Sequence, residues 1–295
     1  MQNLLIGFKR YALYEREYSP NTIKDITNSL MRMNAFIKAK TIKDFSSEAI
    51  RNYLYTQREQ LHWSPRTFIN HRQYIKIFFN YCVSHGFINQ NPIDKIKRPK
   101  VPQTLPRFLT SKQISSILIN LELCIWRYKS ERHRNKTIIY TLIFTGMRLN
   151  ELINLKITDI DMEEKEILIR KGKGKKQRII PIHPQLLPIL EYYFSYLSKR
   201  QERSIWFFYN LRYFNKQMSG RSVQMLCEKL SKKSGVKFTP HWLRHTLGRS
   251  LTNAEVNVYK IKEILGHTNI STTQIYQSVA KQSLRESFCN TSIIG

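Results

Sequence analysis

His241, Arg244, His245, His267 and Tyr276 fall within fewer than forty residues of one another, and Arg148 stands far upstream in Thr145-Gly146-Met147-Arg148-Leu149-Asn150-Glu151-Leu152. These side-chain types suit a phosphodiester. Arginine matches phosphate oxygens bidentately and stays charged at any working pH. Imidazole exchanges protons near neutrality. A tyrosine hydroxyl can attack phosphorus and hold it covalently. Taken singly, each residue has a plainer reading. Arg148 is a surface arginine with an i,i+3 partner in Glu151, and one tyrosine among sixteen is packing. The His and Arg that precede Tyr276 raise it above the other tyrosines.

His241 and His245 also have the H-x-x-x-H spacing of a metal site. Position 242 is Trp, where a zinc protease carries Glu, and no carboxylate third ligand follows. Metal is therefore rejected, and His245 reads as a structural histidine bonded behind the site.

The elements that position these groups follow from local signals. Thr239-Pro240 is a cap followed by a first-turn proline, which starts a helix with His241, Arg244 and His245 on one face. Val258 to Leu265 reads as a short helix stopped by Gly266, with His267 in the turn beyond. Ile138, Ile139, Leu142 and Ile143 make the buried face of a helix ending at Gly146. A shorter helix starts at Leu149, which leaves Arg148 at the junction. Residues 167–169 and 179–182 read as two strands of a hairpin tipped by Lys171-Gly172-Lys173-Gly174-Lys175-Lys176. A basic tip is ordinarily soluble surface; here Lys173, between two glycines, is a candidate proton donor. Lys171, Lys175, Lys176 and Arg178 are candidate DNA contacts. Arg221 joins them on the basic flank of a helix over 220–232. Pro184 to Arg200 reads as a helix, and the aromatics of 205–214 either stack bases or form core.

The first hundred residues predict four helices: 2–17, 20–37 capped by Ser19, one capped by Ser47 through Tyr55, and one started by Ser64-Pro65 and closed by Gly86. Residues 91–107 hold four prolines and five basic side chains, the mark of a stiff basic linker. The expected organisation is a helical DNA-binding domain over 1–90, the linker over 91–107 and a catalytic domain with a C-terminal tail over 108–295.

Charge points to the partner. Lys and Arg number 49 against 21 Asp and Glu, a net of +28. Residues 1–100 hold 17 basic and 7 acidic side chains, so +10 lies there and +18 in the remainder. An excess spread over both halves implies nucleic acid ahead of an anionic membrane surface. No apolar run of about 18 residues and no export signal is present. Four scattered cysteines, Cys82, Cys124, Cys227 and Cys289, make neither a disulfide framework nor a zinc pattern. The expected location is the cytoplasm, on the nucleoid.

His241-x-x-Arg244, Leu265-Gly266-His267, Ile270-Ser-Thr-Thr-Gln-Ile-Tyr276, Thr145-Gly-Met-Arg148-x-x-Glu151-Leu and Gly172-Lys173-Gly174 stand in one order with consistent spacings. In this the chain resembles the tyrosine recombinases (the phage integrase family), Xer-type recombinases above all, over nearly its whole length. The resemblance implies a mainly α fold with a small antiparallel β-sheet: an N-terminal helical, SAM-like core-binding domain and a C-terminal DNA breaking-rejoining domain. It implies Tyr276 as the nucleophile of a 3′-phosphotyrosyl intermediate and Arg148 and Arg244 as clamps on the non-bridging oxygens. It implies Lys173 as the proton donor to the leaving oxygen, His241 on the tyrosine proton, His267 on the phosphate and Glu151 as a brace. No cofactor is implied. The implied partners are a double-stranded DNA site and a homotetramer, or a heterotetramer with a paralogous recombinase, with an accessory activator as an optional third. The alternatives are DNA relaxation in the manner of a type IB topoisomerase and a catalytically silent DNA-binding paralogue. Trp242 and Gly248-Arg249 depart from the smaller or more apolar residues that the family pattern suggests.

Overall fold

The computed structural model describes residues 2–102, 106–170, 177–199 and 204–266. The chain divides into two compact units, 1–104 and 105–295.

The first unit is built on helices α1 (Gln2–Tyr14), α2 (Pro20–Ile37), α3 (Ser47–Gln60) and α4 (Pro65–Ser84), with one 3-10 turn at Ile42–Asp44. Ser19 and Ser64 cap α2 and α4 as their serine-proline pairs predict, each accepting from a backbone amide three residues on. The cap of α3 is Ser46 rather than Ser47, because the Ser46 hydroxyl meets the Ala49 amide, and the helix runs on to Gln60. Phe8, Ile26, Leu30, Met33, Ile50, Leu54, Phe78 and Phe79 fill a core closed to solvent.

Residues 91–96, the start of the expected stiff basic linker, pack into this unit. Ile93 and Ile96 are buried in its core. The Arg72 guanidinium, itself buried, donates to the carbonyls of Ile96 at 2.7 Å and Ile93 at 3.1 Å. Proline density predicted the lack of helix correctly, but two isoleucines one turn apart supply enough apolar surface to fold the segment back onto α4.

The second unit orders α5 (Ser111–Glu122), α6 (Lys129–Thr145), α7 (Leu149–Ile153), a 3-10 turn (Ile157–Asp159), β1 (Ile160–Asp161), β2 (Glu166–Ile169), β3 (Arg178–Pro181), α8 (Leu187–Ser198), α9 (Gly220–Ser234), α10 (Pro240–Asn253) and α11 (Val258–Leu265). The three strands form one antiparallel sheet in the order β1-β2-β3. Its register pairs Ile160 with Ile167, Ile167 with Ile180, and Ile169 with Arg178. Strand β1 was not predicted: two residues are too few to show a period.

Ile160, Ile167, Ile169 and Ile180 bury one sheet face against a core that includes Ile138, Leu142, Leu152, Leu190, Val223 and Leu243. Phe207 and Phe208 are fully buried and the Tyr193 hydroxyl donates to the Phe207 carbonyl, so this part of the aromatic run is core rather than a base-stacking surface. Cys82, Cys124 and Cys227 are free and buried, and burial pushes the Cys82 and Cys227 thiols up to about 12. Among the described residues no helix is long and apolar enough to cross a membrane.

Candidate active site

Arg148 owes its place to two backbone events. Helix α6 ends at Gly146 with φ +57, in the left-handed region that favours glycine. A β-carbon there would also stand 2.9 Å from side-chain carbons of both Leu247 and Leu265, so α10 and α11 close over this turn. The chain then re-enters helix at α7, with Arg148 as its N-cap residue in extended backbone. Glu151, at the third position of α7, reaches back: its Oε2 accepts the Arg148 amide at 2.7 Å and its Oε1 accepts Arg148 Nη1 at 2.7 Å. Arg148 Nη2 donates to the carbonyl of Gly266 at 2.5 Å. The expected brace is thus present, and it fixes both ends of the arginine.

Thr239 caps α10 and Pro240 opens it, which sets His241, Arg244 and His245 along one face. Arg244 is 3% exposed. It donates through Nη1 to the carbonyl of Gly146 at 2.7 Å and through Nη2 to that of Leu265. The two arginines therefore interlock with both glycine turns. His241 and His245 meet edge to face, with ring centroids 4.3 Å apart. Burial lowers the pKa of the His241 imidazole, and the charges of Arg244 and Arg148 lower it further; as a residue His241 stays exposed at the start of the helix. Burial, His241 and Arg244 together bring His245 to about 4. Among the described residues no three His, Cys, Asp or Glu side chains lie together as a metal cluster.

Arg148, His241 and Arg244 line one open cleft of about 680 Å³, whose other walls include Asn150, Arg221, Gln224 and Phe238. Arg221, expected as a DNA contact on its helix flank, lines the same cleft and pairs with Glu228 at 2.9 Å in an exposed ion pair. Asn150 and Gln224 are cleft residues that no sequence signal singled out. Lys171, Lys173, Lys175, Lys176, His267 and Tyr276 lie outside the described residues, as does the tail.

Arg178 corrects an expectation. Instead of facing a duplex, its side chain is 8% exposed and spans both oxygens of Glu151, at 2.9 and 2.7 Å. A buried carboxylate cannot stay charged unless it is paired, and the nearest fork wins. Burial of Glu151 opposes its charge, but the Arg178 bonds and charge and the Arg148 bonds outweigh that and hold it down at about 2.

The two departures from the family pattern also find their partners. Trp242 stacks under Arg107, and Arg249 lies over Phe108, with the guanidinium carbons 5.4 and 4.2 Å from the ring centroids. The segment that carries Arg107 and Phe108 is also tied to α10 by the Leu109 amide, which donates to the Thr246 hydroxyl at 2.9 Å.

The pKa directions give a stability prediction. An imidazole held below its unfolded value of 6.5 binds fewer protons when folded, so stability is complete above that pH and is lost as pH falls toward about 4. Urea midpoints measured between pH 7 and 4 should decline, and His245→Gln should flatten that decline.

The model described as the phage integrase family matches residues 107–283. A tyrosine recombinase of Thermosipho africanus (strain TCF52B) is 30% identical over 289 residues, 96% of this chain and 97% of its own. Tyrosine recombinase XerA of Pyrococcus horikoshii is 37% identical over 202 residues, 68% of this chain and 67% of its own. In fold, the chain is similar to the XerH site-specific recombinase bound to a palindromic difH substrate in a post-cleavage complex. The TM-score is 0.72 at 21% identity, over 98% of this chain and 96% of the other. An interlocked pair of arginines beside a histidine face, on a mainly helical fold with a small antiparallel sheet, agrees with these matches: the chain belongs to the phage integrase family and is a tyrosine recombinase, an enzyme of DNA strand exchange.

Proposed function

We propose that the cleft around Arg148, His241 and Arg244 binds the scissile phosphate of a double-stranded DNA site, and that Tyr276 cleaves it. The convergence of both arginines on one cleft, each anchored on backbone carbonyls, carries this reading. Held in place before substrate arrives, such groups need little reorganisation as charge develops on phosphorus.

The step balances as a transesterification. The Tyr276 oxygen forms a bond to phosphorus while the bond to the 5′-oxygen breaks. His241, kept neutral at pH 7 by its lowered pKa, takes the phenolic proton. Lys173 gives a proton to the departing 5′-oxygen, and His267 holds a phosphate oxygen. Arg148 and Arg244 stabilise the pentavalent phosphorane. The covalent 3′-phosphotyrosyl link keeps the energy of the phosphodiester, so rejoining to a new 5′-hydroxyl requires no ATP.

Exchange between two duplexes cuts four strands, one per active site, which is why we assign the working form as a tetramer on paired DNA sites. Lys171, Lys175, Lys176 and Arg221 supply phosphate contacts. The net charge of +28 suits this partner and supports a location on the nucleoid.

The test is covalent trapping. Full-length protein incubated with nicked duplexes that lose a short fragment on cleavage should yield a denaturant-resistant protein–DNA band. Peptide mapping should place the DNA on Tyr276. An adduct on another residue overturns the nucleophile, and tight binding of a two-site plasmid that is relaxed without exchange favours a topoisomerase.

A further inference from the structure

Arg178 is the first residue of β3, and its three guanidinium nitrogens are each engaged. Nη1 and Nη2 grip the two Glu151 oxygens, and Nε donates to the carbonyl of Ile264 at 3.0 Å. That last bond belongs to a pattern. A helix ends with unsatisfied carbonyls and a partial negative charge. At the end of α11, three consecutive carbonyls each receive one arginine from a different element: Ile264 from Arg178 on β3, Leu265 from Arg244 on α10, and Gly266 from Arg148 at the start of α7.

Gly266 completes the junction. Its φ of +64 favours glycine, and a β-carbon there would stand 2.8 Å from Nη1, 2.9 Å from Cζ and 3.0 Å from Nε of Arg178. The Arg178 guanidinium therefore lies directly against this turn and leaves no room for a side chain. One group thus touches Glu151, which braces Arg148, and also touches the turn whose carbonyls anchor both cleft arginines.

We propose that Arg178 is a positioning residue of this recombinase: it locks the Glu151–Arg148 pair to the C-terminal turn of α11, the point from which the chain continues to His267. The inference rests on the reading of the cleft given above. It replaces the groove contact expected for this arginine. Only a planar fork fits the position, because it must satisfy two carboxylate oxygens and a carbonyl lying off to one side; an ammonium is a point charge and reaches one or two of them.

The experiment uses full-length protein and a nicked duplex selected by covalent capture on the wild type from a randomised pool. Arg178→Lys, Arg178→Gln, Glu151→Gln and the double variant Glu151→Gln/Arg178→Lys are compared well below their melting temperatures. Arg178→Lys should bind the duplex within about twofold of wild type with an unchanged salt slope. At saturating protein its adduct should form about 100-fold more slowly, the cost of a small misplacement of a clamp. Because Arg178 acts through Glu151, the double variant should be no slower than Glu151→Gln alone. A destabilised but otherwise idle position would lower the melting temperature without that coupling.

Three results overturn the proposal: an adduct rate within about threefold of wild type in both Arg178 variants, losses that multiply in the double variant, or an affinity that falls with a salt slope reduced by about 1, the mark of a phosphate contact. Should the wild type capture no duplex at all, the reading of the cleft fails first and this inference falls with it.

Discussion

Arg244→Lys should slow covalent adduct formation by roughly a thousandfold while leaving duplex binding nearly intact. A preorganised donor to a developing oxyanion is worth about 10²–10³ in rate. Arginine at this position does more than donate. Its Nη1 and Nη2 satisfy the carbonyls of Gly146 and Leu265, at the mouths of the two glycine turns that hold Arg148 and lead to His267. Lysine keeps the charge but cannot hold both carbonyls and offer a fork to phosphate. At least one acceptor is then stranded in a buried place, at about 1–3 kcal/mol. The variant should melt lower and cleave slowly, with the rate loss far larger than the stability loss predicts. Single-turnover trapping beside thermal melts measures both. Cleavage within tenfold of wild type would remove Arg244 from the phosphate clamp.

Glu151→Ala should be strongly destabilising. Glu151 is a buried carboxylate that accepts from Arg178 twice, from the Arg148 guanidinium and from the Arg148 amide. Removing it leaves the 8%-exposed Arg178 side chain charged and unpaired, a change that costs about 3–5 kcal/mol when one partner of a buried pair is lost. In a unit of this size that is roughly 10 °C of melting temperature. Glu151→Gln keeps the shape and some bonds, and should fall between. The same carboxylate sets an acid limit. Its folded pKa is about 2 against an ordinary 4.5, so its contribution is complete above the ordinary value and is lost as pH falls toward 2. The wild type should therefore show a steeper fall of melting temperature in that window than Glu151→Ala. A Glu151→Ala protein as stable as wild type at pH 7 would mean the pair contributes nothing.

What the sequence determined by itself is local. Thr239-Pro240 and Ser64-Pro65 mark helix starts because a cap acts on amides two or three residues away. Gly146 and Gly266 mark helix ends because a left-handed turn is a property of one residue. Glu151 as the partner of Arg148 was legible for the same reason, at a separation of three. Arg148 and Arg244, the residues proposed to clamp phosphate, stood out through motif order, since each motif is itself a local pattern.

Only the tertiary structure decided the rest. Nothing local says that Arg178 turns inward to Glu151, 27 residues away, or that Arg244 closes on Gly146, 98 residues away. Both were free on paper to meet solvent or DNA. Ile93 and Ile96 joined the first core for a like reason: prolines govern backbone conformation, but which surface two isoleucines cover depends on where α4 lies. Ion pairs and burial are settled by which groups the packed elements bring within a few ångströms, and that distance is a property of the fold rather than of sequence spacing.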